Sequence, residues 1–258
     1  MIENRKPTRE LSISEIITTT FSLYSEKFTQ YFIPFIIAGA ITGILRMVID
    51  AFIATPATLS TTATAQEVFT WLAATLALAI VTGIIGWIIS EITQGIGVKF
   101  TADTLEKGQA SLMTSFNFTM SKLLSLLAVS IITGVLIVIG FIALVIPGII
   151  LAIIFSLVVP AIIIENTGTL ESLSRSRLLV SHRWLKTFGL LLLLYIIVGI
   201  VSALVGVIST PFGIAAILVS SILAALIQPI LPIALTLYYY SMIARATLQE
   251  APLPAQTV

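Results

Sequence analysis

Long apolar runs separated by short polar connections set the pattern of this chain. A helix needs about 20 mainly apolar residues to cross the hydrocarbon core of a bilayer, which is about 30 Å thick. Six runs approach or exceed that length, at 31–55, 71–98, 122–145, 149–165, 184–208 and 212–244. The third and fourth are divided only by Ile146-Pro147-Gly148, where Pro removes a backbone donor and Gly accepts positive φ. The stretch from Leu123 to Ile164 is far too long for one crossing, so the tripeptide predicts a tight hairpin.

The segment 12–28 has a different period. Ile13, Ile16, Ile17, Thr20, Phe21, Tyr24 and Phe28 recur at helical spacing on one face. Ser12 and Glu15 stand three apart, the spacing of a capping box. An amphipathic helix is expected here, along the cytoplasmic leaflet or against the bundle. The fold class is therefore all-α: a polytopic bundle of six transmembrane helices with amphipathic helices on its cytoplasmic side. Tails at 1–10 and 247–258 flank a membrane domain at 11–246.

Two later segments resemble the first. A shift of 95 positions pairs Phe21 with Phe116, Lys27 with Lys122 and Gly39 with Gly134. A shift of 156 pairs Glu15 with Glu171, Leu23 with Leu179, Ser25 with Ser181, Lys27 with Arg183 and Phe28 with Trp184. Three parallel units predict a pseudo-threefold bundle. The alternative is that basic polar residues simply precede each inward-starting span.

Composition fixes the class. Of 258 residues, 58% are hydrophobic and 10% charged, against about a quarter charged in soluble domains. The opening residues lack the apolar core of a signal peptide, so no cleaved leader is expected. Thirteen Lys and Arg balance twelve Asp and Glu, a pattern unlike that of a nucleic-acid binder. Without Cys, neither disulfides nor thiolate metal sites can form. One His, His182, is too few for a His-based metal site, and no cofactor is expected. The basic residues also orient the bundle. All except Arg46 fall beside the even-to-odd connections or the termini of a six-span arrangement, which places both ends of the chain in the cytoplasm. Trp71, Trp184 and Tyr238-Tyr239-Tyr240 lie near span ends, as interfacial anchors do.

Short motifs carry a family likeness. They are Leu11-Ser-Ile-Ser-Glu-Ile-Ile with Phe21-Ser-Leu-Tyr24, Ile146-Pro147-Gly148 with Pro160 and Glu165, Glu171-Ser-Leu-Ser-Arg-Ser176, and His182-Arg183-Trp184. From Leu11 to Ala246 the chain resembles the membrane domain of the glycerophosphodiester phosphodiesterase family, which also occurs alone. The resemblance implies a six-helix bundle with cytoplasmic amphipathic segments. It does not extend to the phosphodiesterase activity, since no connection has room for a catalytic domain.

Few residues carry chemistry. Arg46 and Asp50 share one face of the first span, and intramembrane charge costs about 2.5–3.5 kcal/mol on insertion scales. They form a self-neutralised pair or, with Gln228, an intramembrane polar site. Gln228-Pro229-Ile-Leu-Pro232 predicts a kink near mid-depth in the sixth span. Glu91 is expected at an interface or paired with Lys99. Glu165, Arg175, Arg177, Arg183 and Lys186 form a cytoplasmic cluster that could attract anionic lipid. Gly83, Gly86, Gly95 and Gly97 predict close helix contacts. With no acid/base constellation, an enzyme is not expected. Two roles remain: a scaffold organising lipid or an unidentified membrane protein partner in the cell membrane, and a transporter or transporter subunit for a small amphiphilic or apolar substrate. A cavity bordered by Gln228 would favour the second.

Overall fold

A computed structural model describes residues 5–52 and 63–250. The described residues are helical apart from short connections, with no strand among them. The helices are α1 (Ile13–Glu26), α2 (Phe28–Phe52), α3 (Ala65–Lys107), α4 (Leu112–Ala143), α5 (Val145–Ile154), α6 (Val158–Ile164), α7 (Thr169–Val180), α8 (Trp184–Ser209), α9 (Ala216–Ala224) and α10 (Ile230–Glu250). A 3-10 turn at Thr210–Ala215 joins α8 to α9. Five segments are long and apolar enough to cross a membrane: Phe28–Ile49, Ala65–Lys107, Leu112–Ala143, Val145–Ile164 and Trp184–Gly213. The remaining apolar run is divided between α9 and α10.

Local chemistry sets the element ends. Ser12 caps α1, its hydroxyl accepting from the Glu15 N–H while the Glu15 carboxylate accepts from the Ser12 N–H at 2.8 Å. Thr64 and Glu67 do the same for α3. Gly108 closes α3 at φ 67, a left-handed conformation that suits glycine. The α4–α5 turn differs from the expectation. It pivots on Leu144, whose backbone is extended, and Pro147 lies in the first turn of α5, where a missing N–H costs little. Gly148 is helical; a Cβ there would meet the Phe141 ring at 2.5 Å, so its role is close approach rather than positive φ. The second and third spans, α3 and α4, also run longer than predicted. The 43 residues of α3 extend about 65 Å, well beyond the hydrocarbon core.

The packed pairs form a closed ring: α2 on α3, α3 on α4, α4 on α5, α5 on α8, α8 on α9, and α9 on α2. Three hairpins therefore follow one another around the ring, as three parallel units require. The shift of 156 is visible in the burial pattern. α1 buries Ile16, Thr20, Leu23 and Tyr24, and α7 buries the corresponding Ser172, Ser176, Leu179 and Val180. The first residue of α2, Phe28, maps onto the first of α8, Trp184. The face of α1 is thus corrected: Leu23 points inward, whereas Phe21 and Phe28 are about two-fifths exposed.

Well-buried residues concentrate at the end of the ring that carries the charges. There the last turns of α3 and the middle of α10 pack beside α1, α6 and α7. Tyr238, Tyr239 and Tyr240 belong to this core and are not interfacial anchors. The Tyr238 hydroxyl lies 2.6 Å from the Thr187 hydroxyl, and Tyr240 donates to Glu106 at 2.8 Å. Buried phenols need such partners. The segment before α1 straps across this end, with the Arg5 N–H on the Leu105 carbonyl and the Leu11 N–H on the Ser241 hydroxyl. Outer positions of α3, such as Phe69, Leu76 and Ile80, are exposed and apolar, as lipid-facing positions would be.

Candidate functional site

The divided last run shapes the site. α9 stops at Ala224 and α10 starts at Ile230. Pro229 supplies no N–H, and its ring crowds the carbonyl four residues earlier. The chain tightens accordingly, with the Leu226 N–H bonding the Leu223 carbonyl and the Ile227 N–H the Ala224 carbonyl, both at 3.1 Å. The kink expected at Gln228 is therefore a tightened turn that interrupts the α-helix, with the Gln228 N–H still on the Ala224 carbonyl at 3.3 Å. Tyr24 ties α1 to it, donating to the Leu226 carbonyl at 2.7 Å. Burial pushes the Tyr24 phenol up to about 12, so it remains a donor at neutral pH.

Beside the break lies a cavity of about 350 Å³ between α2, α3, α8 and the start of α10. Its polar side chains are Thr42, Ser90, Thr93, Gln94, Tyr195 and Gln228; none is charged. Thr42 and Thr93 turn their hydroxyls onto their own helices, donating to the Ala38 carbonyl at 2.9 Å and the Ile89 carbonyl at 3.0 Å. Gln94 reaches Ser90 Oγ at only 3.4 Å. Gln228 and Tyr195 make no side-chain hydrogen bond among the described residues. Two amides and a phenol thus present donors and acceptors to a neutral polar group. A volume in the lower part of the usual ligand-pocket range suits a small molecule.

Close helix approach holds the cavity open at a fixed width. A Cβ on Gly39 would stand 2.6 Å from the Ser221 carbonyl oxygen, and one on Gly43 3.0 Å from Ser221 Oγ. This Gly39-x-x-x-Gly43 contact seats α2 on α9. Its spacing is readable in the sequence but was not among the expected contacts. Gly97 fits against Pro232, where a Cβ would fall 2.7 Å from the ring, and Gly95 against Thr119. Gly83 and Gly86 face open space, contrary to the expectation of close packing. Gln94 and Tyr195 were also missed, since each is one polar residue within an apolar run.

Of the expected intramembrane trio, Arg46 and Gln228 are not brought to one cavity. Gln228 borders the cavity, whereas Arg46 is exposed on α2 one turn beyond Thr42 and does not line it. The Asp50 side chain lies outside the described residues. Glu91 adjoins Ser90 but turns away from the cavity to α4, where it accepts from Ser130 at 2.6 Å. Lys99 instead pairs with Asp103 at 3.1 Å.

The basic cluster is largely consumed within the protein. Arg175 grips Glu165 with two nitrogens, Nε to Oε2 and Nη2 to Oε1, both at 2.8 Å. Arg183 and Lys186 converge on Glu10 at 3.0 and 2.6 Å, with Arg245 at 3.6 Å. Burial disfavours the Glu10 carboxylate, but hydrogen bonds from Lys186 and Arg183 outweigh it and hold the acid below its usual range. Arg177 makes no ion pair among the described residues; it lines a shallow cavity of about 300 Å³ with Ser181, His182 and Trp184. No cluster of three His, Cys, Asp or Glu suited to a metal occurs among the described residues.

Comparison with known proteins gives one match. The family model described as a domain of unknown function (DUF7847) covers residues 13–246. No curated protein and no solved structure matches the chain.

Proposed function

Since the chain belongs to the DUF7847 family of unknown function, we propose its role from the site: a multi-pass membrane protein that moves a small amphiphilic substrate, as a transporter or transporter subunit. In this reading α9 and α10 together make a sixth crossing, and both termini are cytoplasmic by the positive-inside rule. The observation that carries it is the cavity bordered by Gln228 at the broken helix. Discontinuous helices put unsatisfied backbone and polar side chains at mid-depth, where such proteins bind their substrates. The scaffold role has less support, because Glu10 occupies Arg183 and Lys186 and Glu165 occupies Arg175, three of the basic groups that would recruit a partner or anionic lipid.

The test is flux. Purified full-length protein is reconstituted in phosphatidylcholine liposomes carrying a fluorescent NBD-labelled dodecyl glucoside, and inner-leaflet probe is followed by its exposure to external dithionite. The wild type should accelerate exchange over protein-free vesicles, and Gln228→Leu should slow it by about tenfold, the factor for about 1.4 kcal/mol of lost hydrogen bonding. Exchange equal to that of protein-free vesicles would end the transport reading.

A further inference from the structure

A second cavity backs onto the first. It holds about 500 Å³ between α2, α3 and the start of α4, and is walled by Ile33, Pro34, Ile37, Ile92, Met113 and Phe116 among other apolar side chains. Ala38, Ile89 and Thr93 line both cavities. The two spaces are therefore separated only by the seam where α2 meets α3. Thr93 is the one polar residue in the second lining, and its hydroxyl is spent on its own helix. The groove itself is hydrocarbon in character, and its rim residues Ile37 and Met113 are more than half exposed. An alkyl chain there would be shielded on one side by protein and continuous with the bilayer on the other.

The head group is constrained as tightly as the chain. Neither lining contains a charged side chain, so an ionised head would lose its hydration with no counter-charge to replace it. Gln94 and Gln228 instead offer amide donors and acceptors, which match hydroxyl, ester or amide groups.

We propose that the α2–α3 seam seats one uncharged long-chain amphiphile, its polar head on Gln94 and Gln228 and its chain passing Ala38, Ile89 and Thr93 into the Ile33–Phe116 groove. The proposal rests on the transport reading of the first cavity and specifies its substrate class. Ala38 and Thr93 are buried in this seam, so seating the chain requires α2 and α3 to part there, which would give the ligand a lateral path from the bilayer.

Binding, rather than flux, tests it. Full-length protein in phosphatidylcholine nanodiscs is titrated with NBD-labelled dodecyl glucoside, hexyl glucoside and dodecyl phosphate. The dodecyl glucoside should bind at least about tenfold more tightly than the phosphate, the discrimination expected when a buried charge finds no partner. Met113→Trp fills the groove from an exposed position that folding tolerates; it should weaken dodecyl glucoside about fivefold and leave hexyl glucoside unchanged. Gln228→Leu should weaken both glucosides. Equal affinity for glucoside and phosphate, or indifference of the dodecyl probe to Met113→Trp, overturns the proposal. If this binding pattern holds while flux is absent, transport fails and the seat stands. If flux persists and the pattern is missing, the seat fails and transport stands.

Discussion

Ser130 Oγ lies 2.6 Å from Glu91 Oε1 and 2.9 Å from the Leu126 carbonyl, both of which can accept from it. A hydroxyl carries one proton and serves one acceptor at a time. Its one proton is therefore shared between Glu91 on α3 and the Leu126 carbonyl of its own helix. Glu91 is 7% exposed, and its second oxygen has no hydrogen-bond partner in the protein. An acid so placed contributes little to stability, since removing it leaves Ser130 satisfied by its own helix.

Glu91→Gln retains an acceptor for Ser130 and should unfold within about 1 kcal/mol of the wild type in detergent. Glu91→Leu should do the same. Any loss of flux in these variants then reports on the acid itself. A drop exceeding about 3 kcal/mol in Glu91→Leu would show that the pair holds α3 to α4 after all.

Gly39 and Gly83 offer a matched contrast. Alanine at 39 places a methyl 2.6 Å from a backbone carbonyl that cannot swing aside. The overlap should cost about 1–3 kcal/mol, more than the roughly 1 kcal/mol that alanine gains in a helix. Alanine at 83 meets open space and should be neutral or stabilising. Thermal unfolding of the two variants in one detergent decides it; equal melting temperatures would show that α2 and α9 are not seated through Gly39.

The strap before α1 should release in acid. Its Glu10 carboxylate is held below the usual range, so its contribution is complete above the ordinary carboxyl value and fades as pH falls through the depressed one. A spin label on Thr8→Cys should be immobilised at pH 6 and mobile at the acid end of the titration, below the depressed Glu10 value. Adding Glu10→Gln should make it mobile at both. A label immobile in acid would assign the strap's anchoring to the Arg5 and Leu11 backbone bonds instead.

The sidedness is directly measurable because the chain has no cysteine of its own. Ser14→Cys on α1 and Thr70→Cys on α3 are both exposed. In intact cells an impermeant maleimide should label Thr70→Cys and reach Ser14→Cys only after lysis. The reverse pattern would invert the assigned orientation.

Sequence carried far where local chemistry decides. The capping pair Ser12 and Glu15 and the interruption at Pro229 follow from backbone donors that are present, missing or blocked, whereas the hairpin was legible only in place, since it turns on Leu144 and not on Pro147. Gln228 was legible for the same reason, since an amide stands out beside a proline within an apolar run. Long-range placement was less readable. Tyr238, Tyr239 and Tyr240 look like membrane anchors until α1 and the end of α3 cover them, which no periodicity along α10 reveals. Arg46 carries a charge and drew attention, but facing is set by the neighbours of α2, and these leave it outside the cavity lining.

The length of α3 joins two regions that would otherwise be independent. One unbroken rod runs from an apolar, outward-looking half to a tail held by ion pairs, and about three-quarters of the way along it Gly97 bears on Pro232. That contact works as a fulcrum. If the outer half swings to widen the seam, the Lys99–Asp103–Lys107 tail must tilt the opposite way, so whatever grips the tail sets the force needed to part the helices at the far side.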